Sequence, residues 1–520
     1  MNKPLTLILM IWMAAMAQAA DIVVEPGGSL HEALRQAREW RRTGDARCIG
    51  GINIIIKGGR YYMSEPLFLR PEDSGTASSP LTIKGEGDAI ICGDPRQQHT
   101  QIFPAEGMTP LLAFDTDTRT VTIPLRHNGE IGPFLCGTDN ISPFEMLIHQ
   151  RWAIAILRIQ DWVVHGDSVT VSFMEPESRL EFEHPWPQPV IDKASPHSPS
   201  KEGERNGNSS FLLRTTEQRD GVEQLLVVDG ASHVSIRNIT FENTCWNRPL
   251  HRGHVTLQGG FPIIDAYKLR QEGLPWDKTL ENQAWVERSV SAVSVRNANN
   301  VGFIGCRFQH LGATALDFID NTSDCTVEGN TFNDIGGTAI LAGSFAESPR
   351  EVHRPYHDLA ERCQRLTISN NHISDAACED WGAVAIGCGY VRDAVISGND
   401  ICRVNYSGIC VGWGWTAEDT GMRNNLINNN IVREYALQLY DAGGIYTLSS
   451  QPGSAIRDNV IGQPAKAPYA TNDRAFCIYL DARTDGYTIS GNTTEGRPLK
   501  RDEIGDNQPG PQIRYVGVTE

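Results

Sequence analysis

The hexapeptide ISGNDI (396–401) returns in altered form along the C-terminal half of the chain. IGCRF around Cys306, VEGNTF around Asn330, ISNNHI around Asn371, INNNIV around Asn430, IRDNVI around Asn459 and ISGNTT around Asn492 share its plan. Each has a short β-prone run, a turn and a second short run, and all but the first carry Asn at the turn. From Cys306 onward the steps are 24, 41, 28, 31, 29 and 33 residues. A second register runs between these phrases: TALDF (Leu316), TAILA (Ile340), VAIGC (Ile386), GICVG (Ile409), GIYTL (Ile445) and CIYLD (Ile478). Two or more short strands per irregular repeat, with loops of varying length, describe one coil of a parallel β-helix. Coils stack at about 4.8 Å with apolar side chains inward. A propeller blade needs roughly 40 or more residues, and most steps are shorter. Aligned Asn side chains can bond up and down the stack, which accounts for their recurrence without catalysis. Cys306 takes one rung of that ladder.

The N-terminal region suits the same all-β architecture. SLHEALRQAREWRR (29–42) has Ser29 and Glu32 in capping-box positions and Leu30, Ala33, Leu34, Ala37 and Trp40 on one helical face. A solenoid needs such an element over its open end. INIIIKGGRYYM (52–63) and LTIKGEGDAIICG (81–93) read as first coils, with bends at Pro80, Gly85 and Gly87. Residues 98–224 break the rhythm. RTVTIPL (119–125), EMLIHQRWAIAILRI (145–159) and DSVTVSF (167–173) read as strands of an inserted all-β module, followed by a Pro/Ser/Lys-rich loop over 184–210. A shorter excursion, rich in Pro, His and Arg, spans 346–362. The expected divisions are a signal over 1–19, cap and first coils over 20–97, the insertion over 98–224 and the main helix over 225–520.

The first residues, MNKPLTLILMIWMAAMAQAA, carry Lys3, an apolar run and an A-x-A site at Ala17-Gln18-Ala19. This is the pattern of a cleaved export signal. The run is shorter than the ~20 residues that span a bilayer. A secreted or periplasmic protein without a membrane span is expected. The formal charge is −17, which argues against nucleic acid or anionic lipid as a partner. It disfavours a polyanionic substrate only weakly, since a local basic groove could override it. The 12 Cys are irregularly spaced, lack a zinc signature, and read mostly as buried apolar fillers. No metal or other cofactor is expected; Asp320 and Asp324 do not form a clear Ca²⁺ ligand set.

A β-helix offers a long shallow groove suited to extended glycans, and hydrolysis of a glycosidic bond generally uses two carboxyl groups. In DAGGIYTLSSQPGSAIRDNVI (441–461), Asp441 stands four residues before Ile445; Asp481 stands three after Ile478. The two belong to adjacent coils. On one straight strand line they would lie too far apart, unless Gly443 and Gly444 fold Asp441 back over the face. The plainer alternative is that Asp441 caps a turn and Asp481 ends a strand. Other groups expected on this side, as substrate-binding residues, are Asp317, Glu379, Asp380, Tyr446, Trp381 and Trp413, with Tyr479 and Trp415 nearby. Each Trp is either a sugar-stacking face or core packing. His251, His254 and His310 read as structural.

SGICVGWGW (407–415), DAGGIYTLSSQPGSAIRDNVI and CIYLD resemble glycoside hydrolase family 141, as do GGRYYMSEPLFL (58–69), GTASSPLTIKGEG (75–87) and VSIRNITFENT (234–244). The resemblance implies a right-handed β-helix with a β-sandwich insertion. It also implies hydrolysis of plant cell-wall glycans, fucosidase- or xylanase/xylosidase-like, with the family's two active-site aspartates falling on Asp441 and Asp481. The chain departs from the family in DART (481–484), where Ala482 replaces an acidic residue, in a shortened segment before Leu225, and in its ending, GPQIRYVGVTE. Two other functions fit the same fold. A polysaccharide lyase would need a Lys or Arg base and a charge-neutralising cation, and no such pair stands out. A non-catalytic glycan-binding protein would need neither.

Overall fold

The structure is a computed structural model. It describes residues 18–93, 101–103, 111–127, 130–131, 144–183, 211–215, 221–256, 258–265, 285–347, 350–351, 363–465, 467 and 474–520. The N-terminal apolar run, the 184–210 loop and most of the 346–362 excursion lie outside the described residues.

The chain forms a right-handed parallel β-helix. One of its walls is a ten-stranded parallel sheet running from Leu67–Leu69 to Ile504–Asp506. Its inward file is the second sequence register, and the expected alignment holds. Leu316, Ile340, Ile386, Ile409, Ile445 and Ile478 are consecutive partners, extended by Val293 and Leu226 on one side and Ile504 on the other. β-Branched and Leu side chains stack at every coil and are buried in one continuous core. On other walls Phe241, Phe308 and Phe332 form a stacked run, with the last two rings 4.6 Å apart and nearly parallel.

The Asn positions fall at a bend between two strands of each coil. The residue just before each ladder position is left-handed: Asn238, Gly305, Gly329, Asn370, Gly398, Asn429, Asp458 and Gly491 all have φ between 53 and 68°. Gly, Asn and Asp are the residues that enter that region readily, which is why the pre-ladder position varies only among them. The ladder Asn then turns inward. Asn399 Oδ1 accepts from Asn371 N and Nδ2 at 3.0 and 2.9 Å, and its Nδ2 donates to Ile368 O and Asn430 Oδ1 at 3.0 and 2.9 Å. All four of its hydrogen-bonding capacities are used. The pattern continues unbroken from Asn330 to Asn492, and Cys306 starts it by donating its backbone N–H to Asn330 Oδ1.

The capping helix is Leu30–Arg42, with Ser29 Oγ accepting from Glu32 N and Leu30, Ala33, Leu34 and Ala37 buried. The inserted module is antiparallel. Ile154–His165 pairs with Phe144–His149 through residues 154–158 and with Ser168–Phe173 through 159–165, changing partner at a bulge beside Ile159. One strand thus serves both halves of a β-sandwich-like module. A strand beyond 224, His254–Val255, joins the module at Ala155–Ile156. The short pairs Ile263–Asp265, Trp285–Val286, Arg350–Glu351 and Ala346–Glu347 make a further small sheet. Eleven cysteines are described, all as free thiols, and eight of them are buried.

Replacing Asn399 by Ala leaves the Asn371 amide groups and Ile368 O without these buried partners. Each orphaned group costs about 1–3 kcal/mol. Chemical denaturation is expected to show Asn399→Ala destabilised by roughly 3 kcal/mol or more, whereas Asn429→Gly, at the exposed left-handed position one rung on, stays within about 0.5 kcal/mol of the parent.

Candidate active site

Side chains alternate along a strand, so the file next to the Ile file faces out of the ten-stranded sheet. It reads Asp317, Leu341, Gly387, Cys410, Tyr446, Tyr479 and Gly505 from coil to coil. Near its C-terminal end the two tyrosines stand edge to face with centroids 5.4 Å apart. They organise the two aspartates by crossing over. Tyr479, on the later coil, donates its hydroxyl to Asp441 Oδ1 of the earlier coil at 3.0 Å. Tyr446, on the earlier coil, donates to Asp481 Oδ2 of the later coil. Asp481 Oδ1 also accepts from Asn507 Nδ2 at 2.8 Å. Asp441 and Asp481 therefore meet over one tyrosine pair, as the spacing alone did not require.

The fold-back of Asp441 has a different origin from the one expected. Asp441 itself is left-handed, with φ +64°, and this turn brings its carboxyl back over the strand it precedes. The glycines that follow provide space instead. A Cβ on Gly443 would lie 3.1 Å from the Cβ of Tyr479, and one on Gly444 would lie 2.5 Å from the Ile461 side chain. They let the tyrosine and the next wall pack close.

The inserted module reaches the same place. The tip of the hairpin between Phe144–His149 and Ile154–His165 crosses onto the segment before Asp441: His149 Nε2 meets Gln438 O at 2.8 Å, and Tyr440 N donates to Arg151 O at 3.3 Å. On the other side of Asp441, Ala442 N donates to Arg474 O at 3.0 Å. Tyr406 donates its hydroxyl to the Asp441 backbone carbonyl at 3.0 Å, and Gln258 Nε2 reaches the Tyr446 hydroxyl at 3.4 Å.

The two carboxyls sit in unequal surroundings. Burial, then the neighbouring Asp481 charge, pushes the Asp441 carboxyl up to about 6, against the opposing pull of the Tyr479 hydroxyl and of Arg474 and Arg151. Burial also raises Asp481, but hydrogen bonds from Tyr446, Asn507 and the Ala482 backbone N–H favour its ionised form. Burial and the adjacent carboxylates hold both tyrosine hydroxyls well above their usual range, so both remain donors.

The other expected residues do not converge here. Asp317 lies four coils from Tyr446 in the same file, roughly 19 Å away at the usual strand spacing, and both its oxygens are held by Arg288. Asp380 is buried between His254 Nε2, at 3.0 Å, and Gly382 N, at 3.1 Å. Glu379 and Trp381, half-buried, flank it. Trp413, expected as a substrate-binding residue, takes the core-packing alternative: it is 5% exposed and packs against Phe261, Phe345 and Trp415. Of the six residues expected to line the groove, Tyr446 alone touches an aspartate of the pair. Arg151, Tyr406, Arg474 and Asn507 were not anticipated. EIGDN (503–507) could have given Asn507, because Ile504 continues the Ile file and Asn507 then aligns with Asp481. Among the described residues no group of three His, Cys, Asp or Glu is placed to hold a metal ion, and no helix is long and apolar enough to cross a membrane.

Residues 96–202 match the GH141 insertion domain, and residues 291–494 match the right-handed beta helix region. A solved glycoside hydrolase is 32% identical, with 96% of each chain covered and a TM-score of 0.83. More distant are the complex of XylC with xylose, at 9% identity, 94% and 70% coverage and a TM-score of 0.44, and an alginate lyase from Paenibacillus sp. str. FPU-7, at 11% identity, 96% and 99% coverage and a TM-score of 0.37. No curated protein matches the sequence.

Tyr446→Phe removes a donor that favours the ionised form of Asp481 while keeping the ring packed against Tyr479. The Asp481 carboxyl then rises further. In a pH profile of kcat/KM the acidic limb is expected to move to higher pH, with the alkaline limb little changed.

Proposed function

The chain belongs to glycoside hydrolase family 141, and on that footing we propose that its Asp441–Asp481 pair hydrolyses a plant cell-wall glycan of the fucosidase or xylanase/xylosidase kind. The observation that carries the reading is the crossed pair of tyrosine–aspartate hydrogen bonds, which draws two carboxyls from successive coils to one side of the groove.

The roles follow from the surroundings. Glycosidic cleavage needs one carboxylic acid and one carboxylate, and environments that push two carboxyls apart assign them. Asp441, up to about 6 and beside the Asp481 charge, keeps its proton in mildly acidic solution. Its Oδ1 accepts from Tyr479, which leaves Oδ2 to carry that proton to the leaving oxygen of the glycosidic bond. Asp481, with donors on both oxygens, is the ionised partner. It attacks the anomeric carbon or takes a proton from the attacking water. The tyrosine hydroxyls hold both groups toward the bond. The inserted hairpin closes one side of the site, so the module shapes which glycan enters.

We also propose that the chain is exported, on the strength of the apolar run ending at Ala17-Gln18-Ala19. N-terminal sequencing of the protein from its producing cells is expected to start at Ala20 or Asp21; an intact Met1 in the finished protein contradicts it.

Purified protein tested on α-L-fucosides, β-xylosides, α-L-arabinofuranosides, xylan and pectin fragments is expected to release sugar. Asp441→Asn and Asp481→Asn are each expected to lower kcat by a factor of about 10² or more, with melting curves still cooperative. The sign of the pH dependence follows from the two groups. Activity requires protonated Asp441, so kcat/KM falls as pH rises through about 6; it requires ionised Asp481, so it falls again on the acidic side. Full turnover in either Asn variant overturns the assignment.

A further inference from the structure

The outward file continues past Tyr479 in an unusual way. Its next position, Gly505, has no side chain. The ring of Phe476 is laid across it, and a Cβ at 505 would collide with that ring. Phe476 also meets Tyr479, with ring centroids 5.2 Å apart and planes tilted by 52°. Tyr446, Tyr479 and Phe476 thus form one aromatic row over the last coils. The two tyrosines are 5 and 2% exposed, and their hydroxyls are committed to Asp481 and Asp441. Phe476 is half-buried and lines a cavity of about 550 Å³ with Gly505, Arg501, Asp502, Asp506 and Glu520. Of the three rings it is the one that meets the cavity.

The cavity adjoins the residues that hold both carboxyls. Tyr479, in contact with Phe476, is the donor to Asp441 Oδ1 at 3.0 Å. Asn507, which follows Asp506, is the donor to Asp481 Oδ1 at 2.8 Å, and its backbone N–H is fixed on Leu480 O at 3.0 Å. Phe476 stands on the flank of Asp441: Ala475 and Phe476 pair with Ala442 and Gly443, the residues just after it. Asp441 is the group assigned to protonate the leaving oxygen, so the sugar that departs does so on this flank.

The lining suits a sugar ring. Its volume lies within the roughly 300–1,000 Å³ usual for small-molecule sites. The C–H face of a sugar is weakly positive and packs on the negative face of an aromatic ring. The hydroxyls around that face donate to carboxylates, and Asp502, Asp506 and Glu520 supply these. Arg501 supplies N–H donors and is steadied by its pairing with Asp506 and by the Tyr515 ring, 4.9 Å from its guanidinium carbon to the centroid. A uronic acid would bring its own carboxylate among acceptors of the same sign, whereas a neutral ring brings only hydroxyls.

We propose that this cavity is the subsite for the leaving sugar, a neutral ring stacked on Phe476 and hydrogen-bonded to the carboxylates of the last coil. The proposal rests on the Asp441–Asp481 assignment for the direction of cleavage, and it names the class of sugar on the leaving side. Gly505 has a part in it, because the missing side chain is what lets Phe476 lie flat against the end of the file.

The test begins with calorimetric titration of the full chain with D-xylose, D-glucose and D-galactose, and with D-glucuronate and D-galacturonate. At least one neutral sugar is expected to bind saturably and about tenfold or more tighter than either uronate. Phe476→Ala is expected to weaken that binding about tenfold. Gly505→Ala, which drives the ring from its seat, is expected to do the same, and Phe476→Trp, which keeps an aromatic face, to retain it. Asp502→Asn is expected to narrow the gap to the uronates. Absence of neutral-sugar binding, equal binding of uronates, or binding undiminished in both Phe476→Ala and Gly505→Ala overturns the proposal. Turnover then tests the leaving side. On an oligosaccharide that the parent cleaves, Phe476→Ala is expected to lower kcat/KM about tenfold. On the glycosyl fluoride of the same terminal sugar, whose leaving group is a single atom, it is expected to stay within about twofold. Equal loss on both substrates overturns the leaving-side placement. A parent that binds a neutral sugar through Phe476 yet cleaves nothing would instead count against the catalytic assignment and leave the binding result to stand alone.

Discussion

Coil-to-coil register is the constraint from which the rest follows. A parallel β-helix has no freedom to slide, because one residue of slip would put its outward file into the core. Two interior rows hold the register here: the Leu and Ile file behind the ten-stranded sheet and the Asn ladder at the bend. The first is non-directional and repels water. The second is directional, and each amide is correct in one place only. Together they fix Tyr446 beside Tyr479, and through that pair two aspartates separated by a whole coil of sequence share one site.

The exchange of partners between coils is what makes the arrangement sensitive to register. If each aspartate accepted from a tyrosine of its own coil, the two carboxyls could drift apart without breaking a hydrogen bond. Here each is held by the neighbour's tyrosine, so separation of the coils breaks both. The same geometry makes the carboxyls unequal. Asp481 has donors on both oxygens, one from the final coil, whereas Asp441 has one tyrosine and the repulsion of Asp481. Burial raises both carboxyls, but their neighbours give two chemically identical side chains unequal surroundings.

The repeating parts of the molecule were legible in sequence, because stacking turns spatial alignment into periodicity. Ile386, Ile409, Ile445 and Ile478 could be aligned without coordinates, and so could Asn371, Asn399, Asn430 and Asn459. The variation among Gly, Asn and Asp just before the ladder also has a simple backbone cause. The site was less legible. The Asp pair emerged from family resemblance, since strand spacing alone placed the two too far apart, and the turn that brings them together is a left-handed Asp441 rather than its glycines. Sequence left Trp413 open between a sugar-stacking face and core packing, and it is enclosed by aromatic residues from two other segments. Asp317 and Asp380 are engaged by Arg288 and His254, which lie far from them in sequence. In each case the missing information was a contact from a non-repeating segment, which periodicity does not report.

The inserted hairpin is the extreme instance, and it suggests how such a fold acquires specificity. His149 meets Gln438 from 289 residues away in sequence, and nothing in either segment announces the other. A solenoid wall is uniform by construction, so distinctions among sugars have to come from what is laid across it. Catalytic carboxyls can sit on the wall because register positions them accurately. Groups that choose the substrate need to approach from the side, where loops change length without disturbing the stack. The inserted hairpin approaches in that way, its Arg151 carbonyl accepting from Tyr440 N just before Asp441. The burial that raises Asp441 destabilises its ionised form relative to the unfolded chain, by about 3 kcal/mol if 3.8 is compared with about 6. That penalty applies above pH 6 and vanishes below the unfolded value. A site with such a penalty persists only where the surrounding structure has stability in excess, and the ladder of buried, hydrogen-bonded Asn side chains running through the same coils supplies a physical source.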